Sequence, residues 1–200
     1  MLTIYHVPGM RSVRPVWLCY ELELEVDVEL IDFSRSYRDS DAWRAISPAG
    51  KVPALVDGDL TMLESGAMVD YILERYGAGR LQPDLSYKDR AHYRQWCWFA
   101  EATLIRPLGL VRVLHTPREA ASALIDEADR KLHEALALVE AALVDRDYLQ
   151  HDFTAADIMM GYSIALVEQL LDGRYPNLTA YLGRLKSREA YQRVVRLSYA

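Results

Sequence analysis

Apolar and polar positions alternate at the start of the chain and then change period. Leu2, Ile4 and His6 alternate with Thr3 and Tyr5, which predicts a strand ending at a Pro8-Gly9 break. From Ser12 the spacing turns helical, with Val13, Trp17, Tyr20 and Leu24 separated by four, three and four residues. Ser12 suits the N-cap, and Pro15 is tolerated because it falls in the first turn. Val26, Val28 and Leu30, alternating with Asp27 and Glu29, predict a second strand. Residues 39–46 predict a short helix that stops before the Ser47-Pro48-Ala49-Gly50 turn. Pro53 to Val56 and Leu60 to Met62 flank Asp57-Gly58-Asp59, a hairpin signal. A third helix is expected from about Glu64 to Tyr76, closing at Gly77. The order β-α-β-α-β-β-α implies a small mixed sheet covered by helices.

After Gly77-Ala78-Gly79-Arg80-Leu81-Gln82-Pro83 the strand patterns stop. Tyr93, Trp96, Ala100 and Leu104 keep helical spacing, as do Leu132, Leu136, Val139 and Leu143, and Met159, Tyr162, Leu166 and Leu170. The expected organisation is an α/β domain over 1–78, a linker over 79–85 and an all-helical domain over 86–200. Thr154-Ala155-Ala156-Asp157 has capping-box spacing, with Phe153 and Ile158 placed for a hydrophobic staple. Asp157 therefore reads as a structural acid rather than a catalytic one.

Composition narrows the function. The 200 residues are 51% hydrophobic and 26% charged with a formal charge of −6, a globular profile without the basic excess that nucleic acid binding needs. No apolar run approaches the ~18–20 residues of a membrane span, and Met1 to Tyr5 reads as a strand rather than a leader. Cys19 and Cys97 are far apart and outside any Cys-x-x-Cys motif, which suggests two reduced, buried thiols and a cytoplasmic location. Histidine and cysteine spacing offers no metal ligand set, so no metal is expected.

Candidate chemistry lies in two stretches. Ala49 to Val56 runs through Val52-Pro53, and eight residues on comes Glu64-Ser65. A cis Val52-Pro53 bond would present the Val52 backbone to an extended peptide, whereas a trans proline would simply open an edge strand. Ser65 at a helix start offers its hydroxyl and amide to a carboxylate, or else caps the helix. Glu64 can accept from an ammonium. Together they describe a site for a peptide with a free carboxylate.

Lys51-Val52-Pro53-Ala54-Leu55-Val56, Asp57-Gly58 and Leu63-Glu64-Ser65-Gly66-Ala67 resemble the glutathione-binding domain of cytosolic-type glutathione transferases. Tyr5-His6-Val7-Pro8-Gly9 with Ser12, and Phe153 to Ile158, resemble the same superfamily, in a bacterial flavour. The resemblance covers nearly the whole chain and implies a thioredoxin-like domain followed by an all-helical one. It implies that Val52, beside Pro53, pairs with the cysteinyl part of glutathione, that Glu64 and Ser65 hold the γ-glutamyl end, and that Lys51 lies near the glycyl carboxylate. Relatives place a serine, cysteine or tyrosine near the end of the first strand to stabilise the thiolate. Here Met10 stands where one pattern has its first serine, and Arg11 where another has its cysteine. Methionine sulfur cannot donate to a thiol. Ser12, Arg11 and Tyr5 are the remaining candidates, Ser12 either as activator or as plain N-cap. His6 has no carboxylate partner in the sequence and reads as a strand residue.

Met10, Tyr93 and Trp96 are candidates to line a pocket for a hydrophobic electrophile, although aromatics at helical spacing equally build a core. The function expected is conjugation of the glutathione thiolate, as co-substrate, to a hydrophobic electrophile by a homodimer. The alternative is a binding or regulatory protein with the same fold and little catalysis. A disulfide-type oxidoreductase would need a protein cysteine at the site.

Overall fold

The computed structural model describes residues 1–84, 87–114 and 122–197. The end of the expected linker, Leu85, and the expected start of the helical domain, Ser86, lie outside them. Packing divides the described residues into two units: Met1–Leu81 together with residues 186–197, and those within Gln82–Leu185.

The first unit holds a four-stranded sheet in the order β2-β1-β3-β4. The strands are β1 (Leu2–His6), β2 (Asp27–Leu30), β3 (Ala54–Asp57) and β4 (Leu60–Leu63). β1 runs parallel to β2 and antiparallel to β3, and β3 and β4 form a hairpin turning at Gly58-Asp59. Gly58 takes φ +63°, which its missing Cβ permits. Helix α1 (Val13–Glu21) packs on β1, and α4 (Ser65–Tyr76) packs on α1. The opposite side of β1 and β3 carries a small cluster of Val7, Ile31, Trp43 and Ala54, to which Tyr5, Phe33 and Val52 add half-buried surface.

The single helix expected over 39–46 is two helices, α2 (Arg35–Arg38) and α3 (Asp41–Ile46). Serines explain the break: the Ser34 hydroxyl accepts from Tyr37 N and the Ser40 hydroxyl from Trp43 N, so each begins its own helix. α4 ends at Gly77 as expected, but Gly77 has φ −75° and the left-handed residue is Ala78. Glycine is needed at 77 for space, because a Cβ would meet the Leu73 carbonyl oxygen at 2.5 Å.

Residues 186–197, expected in the helical domain, pack instead with the first unit. Helix α10 (Glu189–Val195) lies on α1. The Arg188 guanidinium donates two bonds of 2.6 Å to Glu21, which also accepts from Trp17 Nε1. Tyr191 stands edge-on to Trp17, and Arg193 lies over the Tyr20 ring. A bidentate charge pair with two aromatic contacts outweighs sequence proximity.

The second unit is helical: α5 (Tyr87–Trp98), a π-helical stretch (Phe99–Leu104), α6 (Ile105–Leu114), α7 (Ser122–Ala142), α8 (Ala155–Ala165) and α9 (Pro176–Ser187). α8 is buried on every side from Ala155 to Ile164 and forms the axis of the unit. Its capping box is present. The Asp157 carboxylate, fully buried, accepts from Thr154 N (2.8 Å), Thr154 Oγ1 (3.2 Å), Leu149 N (3.0 Å) and the Tyr181 hydroxyl (3.0 Å). Burial pushes its pKa up, and these donors oppose the rise. Asp157→Ala should lower stability by about 3–5 kcal/mol in urea unfolding, because it strands several buried donors at once. A loss below ~1 kcal/mol would remove the structural role given to this acid.

Candidate functional site

Strand register gathers the N-terminal candidates at one end of the sheet. Tyr5, Ala54 and Leu63 form one row across β1, β3 and β4. One step further along each strand come His6 and Val7, Pro53 and Val52, and Glu64. The chain then passes through Pro8–Arg11 into α1, so the starts of α1 and α4 frame the same end.

The loop from β1 to α1 is tied by one hydroxyl. Ser12 Oγ accepts from Val7 N at 3.1 Å and donates to Val7 O at 3.2 Å, and the residue is fully buried. Val7 O also accepts from Met10 N at 3.1 Å. This changes the expectation for Ser12 in both forms. It occupies the N-cap position but makes no side-chain cap bond, and its single hydroxyl proton is committed to a backbone carbonyl. Met10 is 41% exposed, and Arg11 and Gly9 are exposed beside it. Gly9 takes φ +73°, the left-handed conformation that lets the loop turn there. Tyr5 packs edge-on against Trp43 at 5.5 Å, within the small apolar cluster.

His6 is fully buried on the α1 side of the sheet, and burial pushes its pKa down to about 4, with the Ser12 backbone opposing. It is neutral at neutral pH and cannot act there as a cationic group. Cys19 is also fully buried, which pushes its thiol up to about 12. Neither cysteine forms a disulfide.

On β3, Ser47 shapes the approach to the strand. Its buried hydroxyl accepts from Lys51 N (3.2 Å) and donates to Lys51 O (2.9 Å), closing the 47–51 turn. Gly50, at φ +62°, leaves space for the Arg44 guanidinium, which a Cβ would meet at 2.8 Å. Arg44 in turn donates to Pro48 O and Asp39. The Lys51 side chain points into solvent. The Val52-Pro53 bond is cis, with Val52 just outside the β1–β3 ladder.

At the third corner Glu64 has φ +72° and ψ +107°, a conformation that costs a non-glycine residue about 1–3 kcal/mol and often marks a ligand site. Glu64, rather than Ser65, holds the N-cap position. Ser65 is the first helical residue and is almost wholly buried. Its Oγ accepts from Arg14 Nη1 at 3.2 Å. Arg14 was not among the sequence candidates, although an arginine inside the all-buried run Val13–Tyr20 is a signal that the periodicity contained. Ser47 was missed for a plainer reason, since serine before proline reads as an ordinary turn.

Tyr93 and Trp96 lie in the other unit. Tyr93 is 2% exposed, so it belongs to the helical core instead of lining an open pocket, the outcome that helical spacing of aromatics allows. Trp96 is half-buried, edge-on to Phe99, and borders a cleft of about 720 Å³ with Asp89, His92 and the Asp145–His151 segment. That cleft is polar rather than apolar. Among the described residues no group of three or more His, Cys, Asp or Glu is arranged to hold a metal, and no helix is long and apolar enough to cross a membrane.

The first unit is thus thioredoxin-like, with its candidate residues at one sheet end, and a helical unit follows. Residues 1–74 match the family described as glutathione S-transferase, N-terminal domain. Glutathione S-transferase GstB of Escherichia coli is 32% identical over 98% of this chain and 98% of its own. Glutathione S-transferase F10 of Arabidopsis thaliana is 33% identical over 78% of this chain and 75% of its own. A glutathione transferase from Pseudomonas putida, solved with one glutathione disulfide per subunit, superposes with TM-score 0.88 at 22% identity, covering 98% of this chain and 91% of that one. The chain belongs to the glutathione S-transferase family.

The buried histidine gives a pH test. The native state binds fewer protons than the unfolded state between pH ~4 and ~6.5, so stability is full above ~6.5 and falls as pH drops toward 4. The shift corresponds to about 3 kcal/mol. His6→Phe should flatten that part of the curve relative to the unaltered protein in urea titrations at pH 4.5 and 7. Equal pH dependence in both proteins would mean that His6 protonates freely when folded.

Proposed function

We propose that this enzyme binds glutathione at the sheet end described above and conjugates its thiolate to a hydrophobic electrophile. The observation that carries the reading is the row formed by Val52-Pro53, Glu64 and Ser65, three elements meeting at one sheet end with a strained Glu64 before a helix start. The relatives' names support the same activity. In this reading the Val52 backbone pairs with the cysteinyl residue as an added strand segment. Ser65 Oγ and the α4 amides receive the γ-glutamyl carboxylate at the positive end of the helix. Glu64 accepts from its ammonium, and Lys51 stands near the glycyl carboxylate.

The thiol needs a group that favours its ionised form, because a free thiol has pKa ~8.5. Met10 offers none, and the Ser12 proton is committed to Val7 O. We assign the pull to the positive end of α1 and to Arg11, with Ser12 holding the loop that presents them. Tyr5 belongs to strand packing. The gain over the uncatalysed reaction then comes from proximity and a lowered thiol pKa. Met10, exposed at the same sheet end, borders the electrophile.

The runner-up, a glutathione-binding protein with little catalysis, draws on the same Met10. We further propose a homodimer acting in the cytoplasm. Both follow from the family resemblance noted in the sequence.

Titration calorimetry with glutathione should show binding that Ser65→Ala and Glu64→Ala each weaken by about tenfold or more. No binding by the unaltered protein would end both readings. Transfer to a generic aromatic electrophile separates enzyme from binder. Arg11→Ala should raise the pKa of the bound thiol, followed by thiolate absorbance, while Tyr5→Phe leaves it unchanged. If folded Ser12→Ala shifts that pKa as much as Arg11→Ala does, the catalytic role returns to Ser12.

A further inference from the structure

We infer that Arg14, buried in the first turn of α1, is a positioning residue for the carboxylate end of the peptide ligand, acting through the Ser65 hydroxyl. The inference rests on the glutathione reading above. Arg14 is fully buried, and its Nη1 donates to Ser65 Oγ at 3.2 Å across the α1–α4 contact. A hydroxyl that accepts a bond from a guanidinium has one proton left to give. The Ser65 hydroxyl donates to none of the described residues, so that proton is available to a ligand.

The charge matters as well as the geometry. Arginine keeps its proton at any working pH, and a helix N-terminus contributes only about half a unit charge. The Arg14 guanidinium, one hydrogen bond behind Ser65, turns the Ser65 hydroxyl proton outward and favours an incoming anion without meeting the anion itself. Burial raises its effect, because water screens it less than it would an exposed arginine. Arg11 and Lys51, both exposed, lack that advantage. The Ser12 clamp fixes where α1 starts and therefore where Arg14 stands. The same helix thus serves two parts of one ligand, with its first amides and Arg11 near the thiol and Arg14 behind the carboxylate subsite.

The test is a double-mutant cycle between Arg14→Lys or Arg14→Met and Ser65→Ala, read by calorimetry with two ligands. One is glutathione, and the other is the analogue whose γ-glutamyl α-carboxylate is replaced by hydrogen. Arg14→Met should weaken glutathione by about tenfold, with Arg14→Lys recovering part of the loss. Both effects should vanish in the Ser65→Ala background and with the analogue. In steady-state transfer the KM for glutathione should rise while kcat at saturating glutathione stays within about twofold. Effects of Arg14 and Ser65 that multiply independently, or an equal loss with the analogue, would overturn the inference while leaving glutathione binding intact. Absence of glutathione binding by the unaltered protein would overturn the reading and the inference together. Should Arg14→Met fail to fold, as judged by circular dichroism, the Arg14→Lys arm decides. In the unaltered protein the Arg14 guanidinium NMR resonances should also move with glutathione and stay fixed with the analogue.

Discussion

The first unit turns on a single buried hydroxyl. Ser12 closes both hydrogen-bonding groups of Val7, and in doing so joins the end of the central strand to the start of the first helix. From that joint the positions of Met10, Arg11 and Arg14 follow. A hydroxyl spent on fold cannot also be spent on chemistry. A second hydroxyl two residues earlier would let those tasks be divided between two side chains. In this chain Met10 occupies that place, and the reading proposed above gives the chemical task to the helix end and Arg11 instead.

Much of the architecture was legible because its signals are local and redundant. Alternation in 2–6 and 26–30 and the Asp57-Gly58-Asp59 turn specify strands directly, and the sheet end at which they meet follows from register. The Thr154–Asp157 box was equally plain, since both partners lie within one turn. What sequence could not supply were contacts made across long separations. Ser65 looks like a cap until Arg14, fifty-one residues earlier, is seen beneath it. Tyr93 and Trp96 share one helical stripe in the sequence, yet one is core and the other borders a polar cleft. Periodicity identifies the face of a helix, whereas the depth of the neighbouring elements decides how far each residue sinks.

Helix α8 in the second unit and helices α1 and α4 in the first begin by different means. In the second, one buried carboxylate collects four donors and organises α8, the 149 backbone and Tyr181 together. In the first, neither α1 nor α4 has a side-chain cap, and α4 follows a residue at positive φ. Helix ends left without internal acceptors keep their amides for something else. That contrast separates a helix start built for rigidity from two whose first amides are left for other acceptors.

The return of α10 to α1 sets an order on biosynthesis. The chain leaves the first unit after Leu81, builds the second, and comes back only with Arg188, Tyr191 and Arg193. Until those residues leave the ribosome, α1 lacks the partners of Glu21, Trp17 and Tyr20. The sheet unit is therefore begun first and completed last. A nascent chain carries this uncovered helix face for as long as the second unit takes to emerge.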